Sequence, residues 1–274
     1  MKNNTITFIG GGNMASSLIG GLIETGVAIE KLRVADPELE PLAAQWKVQC
    51  YTDNLTAIDG ANVVVLAVKP QILPDVAKSI ATAMPSSPPL FISIAAGIRT
   101  IDITRWLGAN KPLPIVRVMP NMPALVQSSA SALFAGKYVN DTQRELAENI
   151  LRAVGLTLWL EDEAQMDAVT ALSGSGPAYF FLLMEVLEKS ASALGLPQET
   201  ARLLTLQTAF GAAKMALESQ EDAGTLRARV TSKGGTTEQA INTLQAGGLQ
   251  SLFDQALHAA QQRATSLAKQ FGEQ

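Results

Sequence analysis

The fold class follows from one segment near the start of the chain, Thr5-Ile6-Thr7-Phe8-Ile9-Gly10-Gly11-Gly12-Asn13-Met14-Ala15. Its first five residues have the composition of a β-strand, and apolar side chains recur at helical spacing after the glycines. A G-x-G-x-x-A pattern between strand and helix is typical of the first turn of a dinucleotide-binding fold. Gly10 allows the tight turn, Gly12 lets a pyrophosphate approach the backbone, and Ala15 allows the helix to pack closely. A purely structural turn is the alternative interpretation.

Apolar runs continue to alternate with helical segments, which favours the dinucleotide-binding interpretation. They predict strands at 32–35, 63–68, 90–94 and 115–119, and a helix at 73–84. Near-continuous apolar runs indicate strands buried on both faces, so we expect a doubly wound parallel sheet of the Rossmann type. Candidate ligand loops follow these strands, although any one of them could be a plain turn. They are Lys69-Pro70, Ala95-Ala96-Gly97 and Pro120-Asn121-Met122-Pro123.

The pattern changes near residue 161, beyond which the segments lengthen into helices. We therefore expect two domains, a dinucleotide-binding domain at 1–161 and an all-α dimerisation and substrate domain at 162–274. The clearest helix is predicted to begin at 173–177 and to end at Gly195, and its residues 179–184 are consecutively apolar. One small domain cannot easily bury such a surface, so we expect this helix to contact a second subunit. A central helix within its own domain is the alternative, and residues 252–271 predict an amphipathic helix.

Composition excludes several classes of protein. The 274 residues are enough for two cores, and a formal charge of −4 without a run of Lys or Arg argues against nucleic acid and anionic membranes as partners. The chain enters its first strand without a signal-peptide core and has no apolar run of membrane-spanning length, so we expect a cytoplasmic protein. Cys50, the single cysteine, excludes an internal disulfide and a cysteine-rich metal site. We read it as a strand residue and predict no metal.

A second glycine-containing segment, Arg229-Val230-Thr231-Ser232-Lys233-Gly234-Gly235-Thr236-Thr237-Glu238-Gln239, also precedes a predicted helix. The unpaired N–H groups of a helical first turn can bind an anion such as a carboxylate, and glycines let it approach the backbone. The alternative is a capping box formed by Thr236 and Gln239, with Gly234 and Gly235 serving only as the preceding turn. The segment alone leaves both interpretations open.

Taken together, six separated motifs resemble those of pyrroline-5-carboxylate reductase, in that family's order and over nearly the whole chain. They are Phe8-Ile9-Gly10-Gly11-Gly12-Asn13-Met14-Ala15, Ala67-Val68-Lys69-Pro70, Ser93-Ile94-Ala95-Ala96-Gly97, Met119-Pro120-Asn121-Met122-Pro123, residues 172–179 and residues 230–240. The resemblance implies an oxidoreductase acting on a C=N bond. Such enzymes reduce L-1-pyrroline-5-carboxylate to L-proline with NADPH or NADH, the last step of proline biosynthesis. They form homodimers that often assemble into larger rings.

The resemblance also implies which residues bind ligands. The cofactor is expected at Ile9, Gly10, Gly11, Gly12, Asn13, Met14, Asn54, Ala67, Val68, Lys69, Pro70, Ile94, Ala95, Ala96 and Arg229. The imino-acid substrate is expected at Glu163, Ser232, Gly234, Gly235, Thr236 and Thr237. Thr237 is the candidate catalytic residue, because its hydroxyl is expected to bond the ring nitrogen. The sole histidine, His258, is expected to have a surface or packing role. The chain departs from the family pattern at Lys233, where proline is usual, and at Met122, where threonine is usual.

Cofactor preference depends on Asp36, which ends the second predicted strand. An acidic residue there favours a free ribose 2′-hydroxyl, hence NADH, because it repels a 2′-phosphate. Asp36 before Pro37 is also an ordinary helix cap. The family commonly uses NADPH and often accepts either, and Arg229 could supply a partner for the phosphate. Both cofactors therefore stay open.

Two other functions compete. A hydroxy-acid dehydrogenase has the same two-domain plan, with a catalytic lysine on the helix after a glycine-rich turn. Here the first lysine of that helix is Lys189, about three turns after Pro177, which argues against this function. A dinucleotide-sensing protein without turnover is the other candidate, and the segment from Gly234 to Thr237 argues against it because it predicts a second ligand.

Overall fold

The computed structural model describes residues 3–37, 46–108 and 112–273 of the chain. The described strands form one sheet of eight, in the order β3-β2-β1-β4-β5-β6-β7-β8. Their bounds are β1 Ile6–Ile9, β2 Leu32–Ala35, β3 Gln49–Tyr51, β4 Val63–Leu66, β5 Leu90–Ser93, β6 Ile115–Met119, β7 Ser129–Ala135 and β8 Gly155–Trp159. Cys50 lies in a strand, as predicted.

The sheet is parallel through its first six strands. Ile6 of β1 is in register with Leu32 of β2 on one side and with Val63 of β4 on the other. The strand order therefore reverses at β1, which is where open α/β sheets bind their ligands. The last two strands, β7 and β8, extend the predicted sheet: β7 runs antiparallel to β6, and β8 runs parallel to β7. Their small and alternating side chains give no continuous apolar run.

Helices make up the rest of the regular structure in the described residues. The described α-helices are α1 Asn13–Glu24, α2 Asn54–Ile58, α3 Leu73–Ala81, α4 Thr100–Trp106, α5 Asp141–Arg152, α6 Gln165–Val169, α7 Gly176–Ala193, α8 Gln198–Glu218, α9 Ala223–Arg229, α10 Thr236–Ala246 and α11 Leu249–Gly272. Short 3-10 helices span Ile29–Lys31 and Met122–Val126, and a π-helical turn spans Thr170–Gly174.

The predicted helix start is confirmed, because α7 begins at Gly176, within the predicted range 173–177. A π-helical turn that was not predicted spans Thr170–Gly174 directly before it, and Ser175 N–H donates to the Thr170 carbonyl at 2.9 Å. The end is as predicted, because Gly195 has a φ of +100° that interrupts the helix.

Two apolar cores flank the sheet, because successive side chains of a strand point to opposite faces. Val63 and Val65 pack with Leu18 on one face. Val64 and Leu66 pack on the other face, with Phe91 and helix α4. The prediction of strands buried on both faces is therefore confirmed.

The chain divides into two compact units. The sheet unit comprises the described residues through Ser175 together with those from Ala259 onward, and the helical unit is residues 176–258. The sheet unit extends past residue 161 because Met166 and Ala171 are buried in it. The described residues from Ala259 onward also belong to the sheet unit, because Ala268 and Phe271 of α11 are buried in it. None of the described helices combines the length and apolar character needed to cross a bilayer.

Candidate functional site

The first glycine turn has a backbone that only glycine can adopt. Gly10 has a φ of +98°, and a Cβ there would lie 2.8 Å from the Ala67 carbonyl oxygen. Its N–H donates to the Ala35 carbonyl at 2.8 Å. The turn is therefore packed against both strands that flank β1.

Gly12, in contrast, faces open space. Among the described residues, no atom lies within 4 Å of the position that a Gly12 Cβ would occupy. Gly12 is the N-cap residue of α1, and no side chain caps this helix. The first-turn N–H groups of Asn13 and Met14 have no acceptor among the described residues. Such an open backbone at a helix N-terminus fits the pyrophosphate of a dinucleotide.

Three predicted cofactor segments meet at the carboxyl edge of the sheet. The N–H of Ala67 donates to the Ile9 carbonyl at 2.8 Å, and the N–H of Ile94 donates to the Leu66 carbonyl at 3.2 Å. Residues 67–70 therefore follow β4, the direct neighbour of β1, and residues 94–96 follow β5, the next strand along the sheet. Asn54 lies at the start of α2, after the N-cap residue Asp53.

The carboxylate of Asp36 lies against the glycine turn. Its Oδ2 accepts the Gly11 N–H at 2.6 Å, and this bond joins the end of β2 to the turn after β1. A fixed negative charge is thus placed beside the phosphate-binding backbone, at the strand end where the adenosine ribose lies in dinucleotide-binding folds.

Glu163 is held by two residues that sequence reasoning missed. Its Oε1 accepts the Thr100 N–H at 2.8 Å and lies 3.1 Å from Arg117 Nη1, while its Oε2 accepts the Thr100 hydroxyl at 2.8 Å. Arg117 is buried in β6, with a side chain that is only 5% exposed. These contacts fix Glu163 at the start of α4, directly after the loop at 94–97. Three lone pairs of the carboxylate are used, which leaves one on Oε2.

Asn121 organises the loop after β6, and it too was missed as a single residue. Its Oδ1 accepts the Ala130 N–H at 3.0 Å and the Ser129 hydroxyl at 3.1 Å. Its Nδ2 donates to the Ser173 carbonyl at 3.0 Å, in the π-helical turn. An asparagine between Pro120 and Pro123 was the available signal, since such a loop needs side-chain bonds to hold it. Met122 is half exposed.

The second glycine segment lies in the helical unit, and its capping-box interpretation is wrong. Gly235, not Thr236, is the N-cap residue of α10, and no side chain makes a capping bond. Gly234, with a φ of +73°, donates its N–H to Glu238 Oε2 at 2.7 Å instead. The pattern failed because a glycine occupies the cap position. The N–H groups of Thr236 and Thr237 have no acceptor among the described residues, as an anion site requires.

Arg229 is paired within the helical unit. Its Nη2 lies 2.7 Å from Glu221 Oε1, and its side chain is 67% exposed. The other oxygen of that carboxylate, Oε2, is buried and has no hydrogen-bond partner among the described residues. Ser232 and Lys233 are exposed, and so is His258. Within the described part of the chain, no cluster of His, Cys, Asp or Glu side chains is arranged to hold a metal ion.

Comparison with known proteins decides the family. The chain is 50% identical to pyrroline-5-carboxylate reductase of Pseudomonas aeruginosa across 276 aligned residues, which cover both chains completely. The chain belongs to the pyrroline-5-carboxylate reductase family. The resemblance predicted from the six motifs is thereby confirmed.

Solved structures of pyrroline-5-carboxylate reductases share the fold. The structure from Coxiella burnetii is 46% identical and superposes with a TM-score of 0.92, covering 97% of this chain and 98% of that one. The Plasmodium falciparum pyrroline carboxylate reductase, solved with NADP bound, is 28% identical with a TM-score of 0.87, covering 98% and 99%. The predicted fold class, a Rossmann-like sheet followed by a helical dimerisation region, is therefore confirmed.

Family models match both halves of the chain. Residues 5–97 match a model described as NADP oxidoreductase, coenzyme F420-dependent, and residues 163–267 match one described as pyrroline-5-carboxylate reductase dimerisation. The second match indicates a homo-oligomer, as the apolar surface of α7 predicted.

Proposed function

We propose that this protein reduces L-1-pyrroline-5-carboxylate to L-proline with NADPH or NADH, the last step of proline biosynthesis. The observation that carries the proposal is the 50% identity to the Pseudomonas aeruginosa reductase over the full length of both chains. The open backbone at Gly12 and the unpaired N–H groups at the start of α10 supply one site for a dinucleotide and one for a carboxylate.

The sheet unit holds the dinucleotide, which supplies the hydride when bound. Gly10, Gly11 and Gly12 receive the pyrophosphate with the N–H groups of Asn13 and Met14. The remaining contacts come from Ile9, Asn54, residues 67–70 after β4 and residues 94–96 after β5, all at the carboxyl edge of the sheet. The task of these residues is alignment and exclusion of water.

The helical unit holds the substrate carboxylate. Ser232 and the N–H groups of Thr236 and Thr237 contact it, and Gly234 and Gly235 allow it to approach the backbone closely. The Gly235 N–H donates to the Ser232 carbonyl at 3.0 Å and so holds the turn. The Glu238 carboxylate occupies the Gly234 N–H until substrate binds there. The Thr237 hydroxyl donates to the nitrogen of the imine and relays to it a proton from water as the hydride reaches the ring carbon. Glu163 can accept the N–H formed in this way with the lone pair left on Oε2.

Replacement of Thr237 by valine tests its part in the reaction. The substitution keeps the shape and removes the hydroxyl, so we expect the single-turnover rate to fall about a hundredfold. Thr237→Ser should restore most of it, and Thr236→Val is the matched control because its contribution is through the backbone. An unchanged rate in a folded Thr237→Val variant excludes the threonine as a proton relay, and the iminium form of the substrate then brings its own proton.

The preference for NADPH or NADH tests the expected roles of two charged residues, Asp36 and Arg229. Asp36→Ser removes the carboxylate 2.6 Å from Gly11 N, and we expect it to shift the ratio of kcat/KM values about tenfold toward NADPH. Arg229→Ala should move the ratio toward NADH if the guanidinium contacts the 2′-phosphate. An unchanged ratio in Arg229→Ala removes this residue from the phosphate site and leaves its pairing with Glu221 as its role.

Turnover separates the reductase from the two competing functions. Loss of NADPH or NADH absorbance that depends on pyrroline-5-carboxylate and yields proline is expected. A 2-hydroxy acid should give no reaction, because Lys189, the first lysine of α7, is 73% exposed and lies 2.5 Å from Glu185. Dinucleotide binding without turnover of either substrate would favour a sensing protein.

The assembly and location remain parts of the proposal. Helices α7 and α8 form the face of a homodimer, and the dimers assemble further into a ring. The dimerisation and substrate domain is 162–274 and the dinucleotide-binding domain is 1–161, in a cytoplasmic enzyme. Light scattering of the purified protein measures the number of subunits.

A further inference from the structure

The last turns of α11 pack directly on the loop after β5. A Cβ at Gly97, where φ is +75°, would lie 3.5 Å from the Leu267 Cβ and 3.6 Å from the Ala268 nitrogen. Phe271 is only 4% exposed and shares a core cluster with Ala95 and Ile98. The backbone at residues 95–97 is thus supported from behind by the C-terminal end of the chain.

A buried carboxylate of α4, that of Asp102, lies close to the same end of α11. Asp102 is 1% exposed, and its Oδ2 accepts the Arg99 Nε–H at 2.8 Å. A Cβ at Gly272 would lie 2.6 Å from Arg99 Nη2 and 3.0 Å from Asp102 Oδ2, so α11 ends in close approach to this pair. Arg99 is the N-cap residue of α4, two positions after Gly97.

Arg105 closes the arrangement. Its Nη2 donates to the Gly272 carbonyl and lies 3.5 Å from Asp102 Oδ1. A cation at a helix C-terminus satisfies a carbonyl that has no intrahelical partner and interacts favourably with the helix dipole. Thr265 adds a bond from its hydroxyl to Asp167 Oδ2 at 2.7 Å. The end of α11 is therefore held by the loop after β5, by α4 and by Asp167 of α6.

We propose that the C-terminal end of α11, through Phe271 and the Arg105 contact to Gly272, is a positioning element for the dinucleotide-binding loop at 94–96. The inference rests on the proposed function, in which this loop lines the dinucleotide. A binding loop that is not ordered in the free protein must become ordered when a ligand binds, and that ordering weakens binding. Packing by α11 orders the loop beforehand, so its loss weakens dinucleotide binding without altering the substrate segment of the helical unit.

The experiment compares variants of the full chain. Phe271→Ala removes the buried ring, and Arg105→Met removes the donor to Gly272 while keeping length. Arg105→Lys is the conservative rescue, and Gln270→Ala is the matched control because Gln270 is exposed in the same turn. The Kd for NADPH and NADH is measured by the fluorescence of the bound dinucleotide, without substrate. The KM for pyrroline-5-carboxylate is measured at saturating dinucleotide, with thermal unfolding and gel filtration on each variant.

We expect Kd to rise about tenfold in Phe271→Ala and about threefold in Arg105→Met, since preorganisation of the loop is lost in graded steps. Arg105→Lys and Gln270→Ala should keep the wild-type Kd, and the KM for the imino acid should stay unchanged in all four. If Phe271→Ala does not fold, Arg105→Met with its lysine rescue decides.

A lower melting temperature with unchanged Kd in Arg105→Met and Phe271→Ala would reduce α11 to a stabilising role and overturn the inference. A rise in the imino-acid KM equal to the rise in Kd would also overturn it, because the effect would then be general. Wild-type protein that binds neither dinucleotide overturns the proposed function as well, so the two failures are distinguishable.

Discussion

The sheet unit and the helical unit bury their apolar side chains in different ways. In the sheet unit, Phe8, Leu66 and Phe91 are completely buried between strands and helices. In residues 176–258, all of which the structure describes, the only buried hydrophobic side chain is that of Ala201. Phe180 and Phe181 of α7 are 64% and 65% exposed there. Burial of apolar area is the main favourable contribution to folding, so the helical unit lacks within one chain what the sheet unit has.

This difference in burial suits the two units to different roles. A self-sufficient sheet can hold a rigid glycine turn for a dinucleotide. Helices whose apolar surface faces outward on this scale are typical of an interface between subunits. The proposed substrate segment at the start of α10 belongs to that second unit, so we expect its order to depend on a partner. We therefore expect substitutions in the two units to differ in their dependence on protein concentration.

The largest expected effect is on subunit association through the exposed apolar face of α7. Phe181→Glu places a charge on the exposed apolar face of α7, the face that we propose as the dimer interface. We expect the dimer to be weakened by about 4–8 kcal/mol, or about a thousandfold or more in Kd. Sedimentation equilibrium measures it. Tyr138→Glu, at a half-exposed aromatic residue of the sheet unit, is the matched control, and equal dissociation in both variants would contradict the assignment of the face.

The next effect compares two phenylalanines. Phe91→Ala, at a fully buried position, should lower the free energy of unfolding by about 3–5 kcal/mol at every protein concentration. Phe210→Ala, at a position 62% exposed in one chain, should lower stability only through association. Its loss of melting temperature should therefore shrink as protein concentration rises. Thermal unfolding over a range of concentrations distinguishes them, and concentration-independent loss in both would mean that α8 is packed within its own chain.

A smaller effect compares two ion pairs. Arg117→Met removes a buried partner of Glu163, and we expect a loss of about 1.5–3 kcal/mol because a charged hydrogen bond disappears. Lys189→Met removes the exposed partner of Glu185, and no measurable change in stability is expected. Urea unfolding of both variants measures this. Arg117→Met should also raise the imino-acid KM, since Glu163 loses its fixed position, and an unchanged KM would remove Glu163 from the substrate site.

The smallest expected effect is on the pH dependence of stability, and it is expected in both units. Bonds from the Thr56 side chain and N–H lower the pKa of Asp53, and bonds from the Thr225 N–H and side chain lower the pKa of Asp222. Because the folded-state pKa is depressed, each carboxylate stabilises the fold above its ordinary pKa, and this contribution is lost as pH falls through the lowered value. Asp53→Asn and Asp222→Asn should each make unfolding slightly less dependent on pH below about pH 4. An unaltered pH dependence in both would contradict these caps.

Local patterns predicted much of the fold and the backbone parts of the site. The runs at β1, β2, β4, β5 and β6 and the tight turn at Gly10 follow from neighbouring residues alone. The strand β7 was missed because Ser129 and Ser131 break its apolar run, and it becomes a strand through pairing with Met119 and its neighbours in β6.

Side-chain partners from distant parts of the chain were beyond such patterns. Arg117 and Thr100 are separated from Glu163 by 46 and 63 positions, and only the sheet brings them together. Glu238 was missed for the opposite reason, because a nearby residue of similar shape, Gln239, fitted a familiar capping pattern. The glycine at the cap position decided against it.

Transfer of deuterium tests the central claim, reduction of the imine by a nicotinamide dinucleotide. The purified protein is incubated with pyrroline-5-carboxylate and with NADPH in which both hydrogens on C4 of the nicotinamide are deuterium. A second reaction uses NADH labelled in the same way. The product is analysed by mass spectrometry and NMR. We predict proline that carries a single deuterium on its δ-carbon. Unlabelled proline, or no proline from folded protein that binds the dinucleotide, would contradict the account.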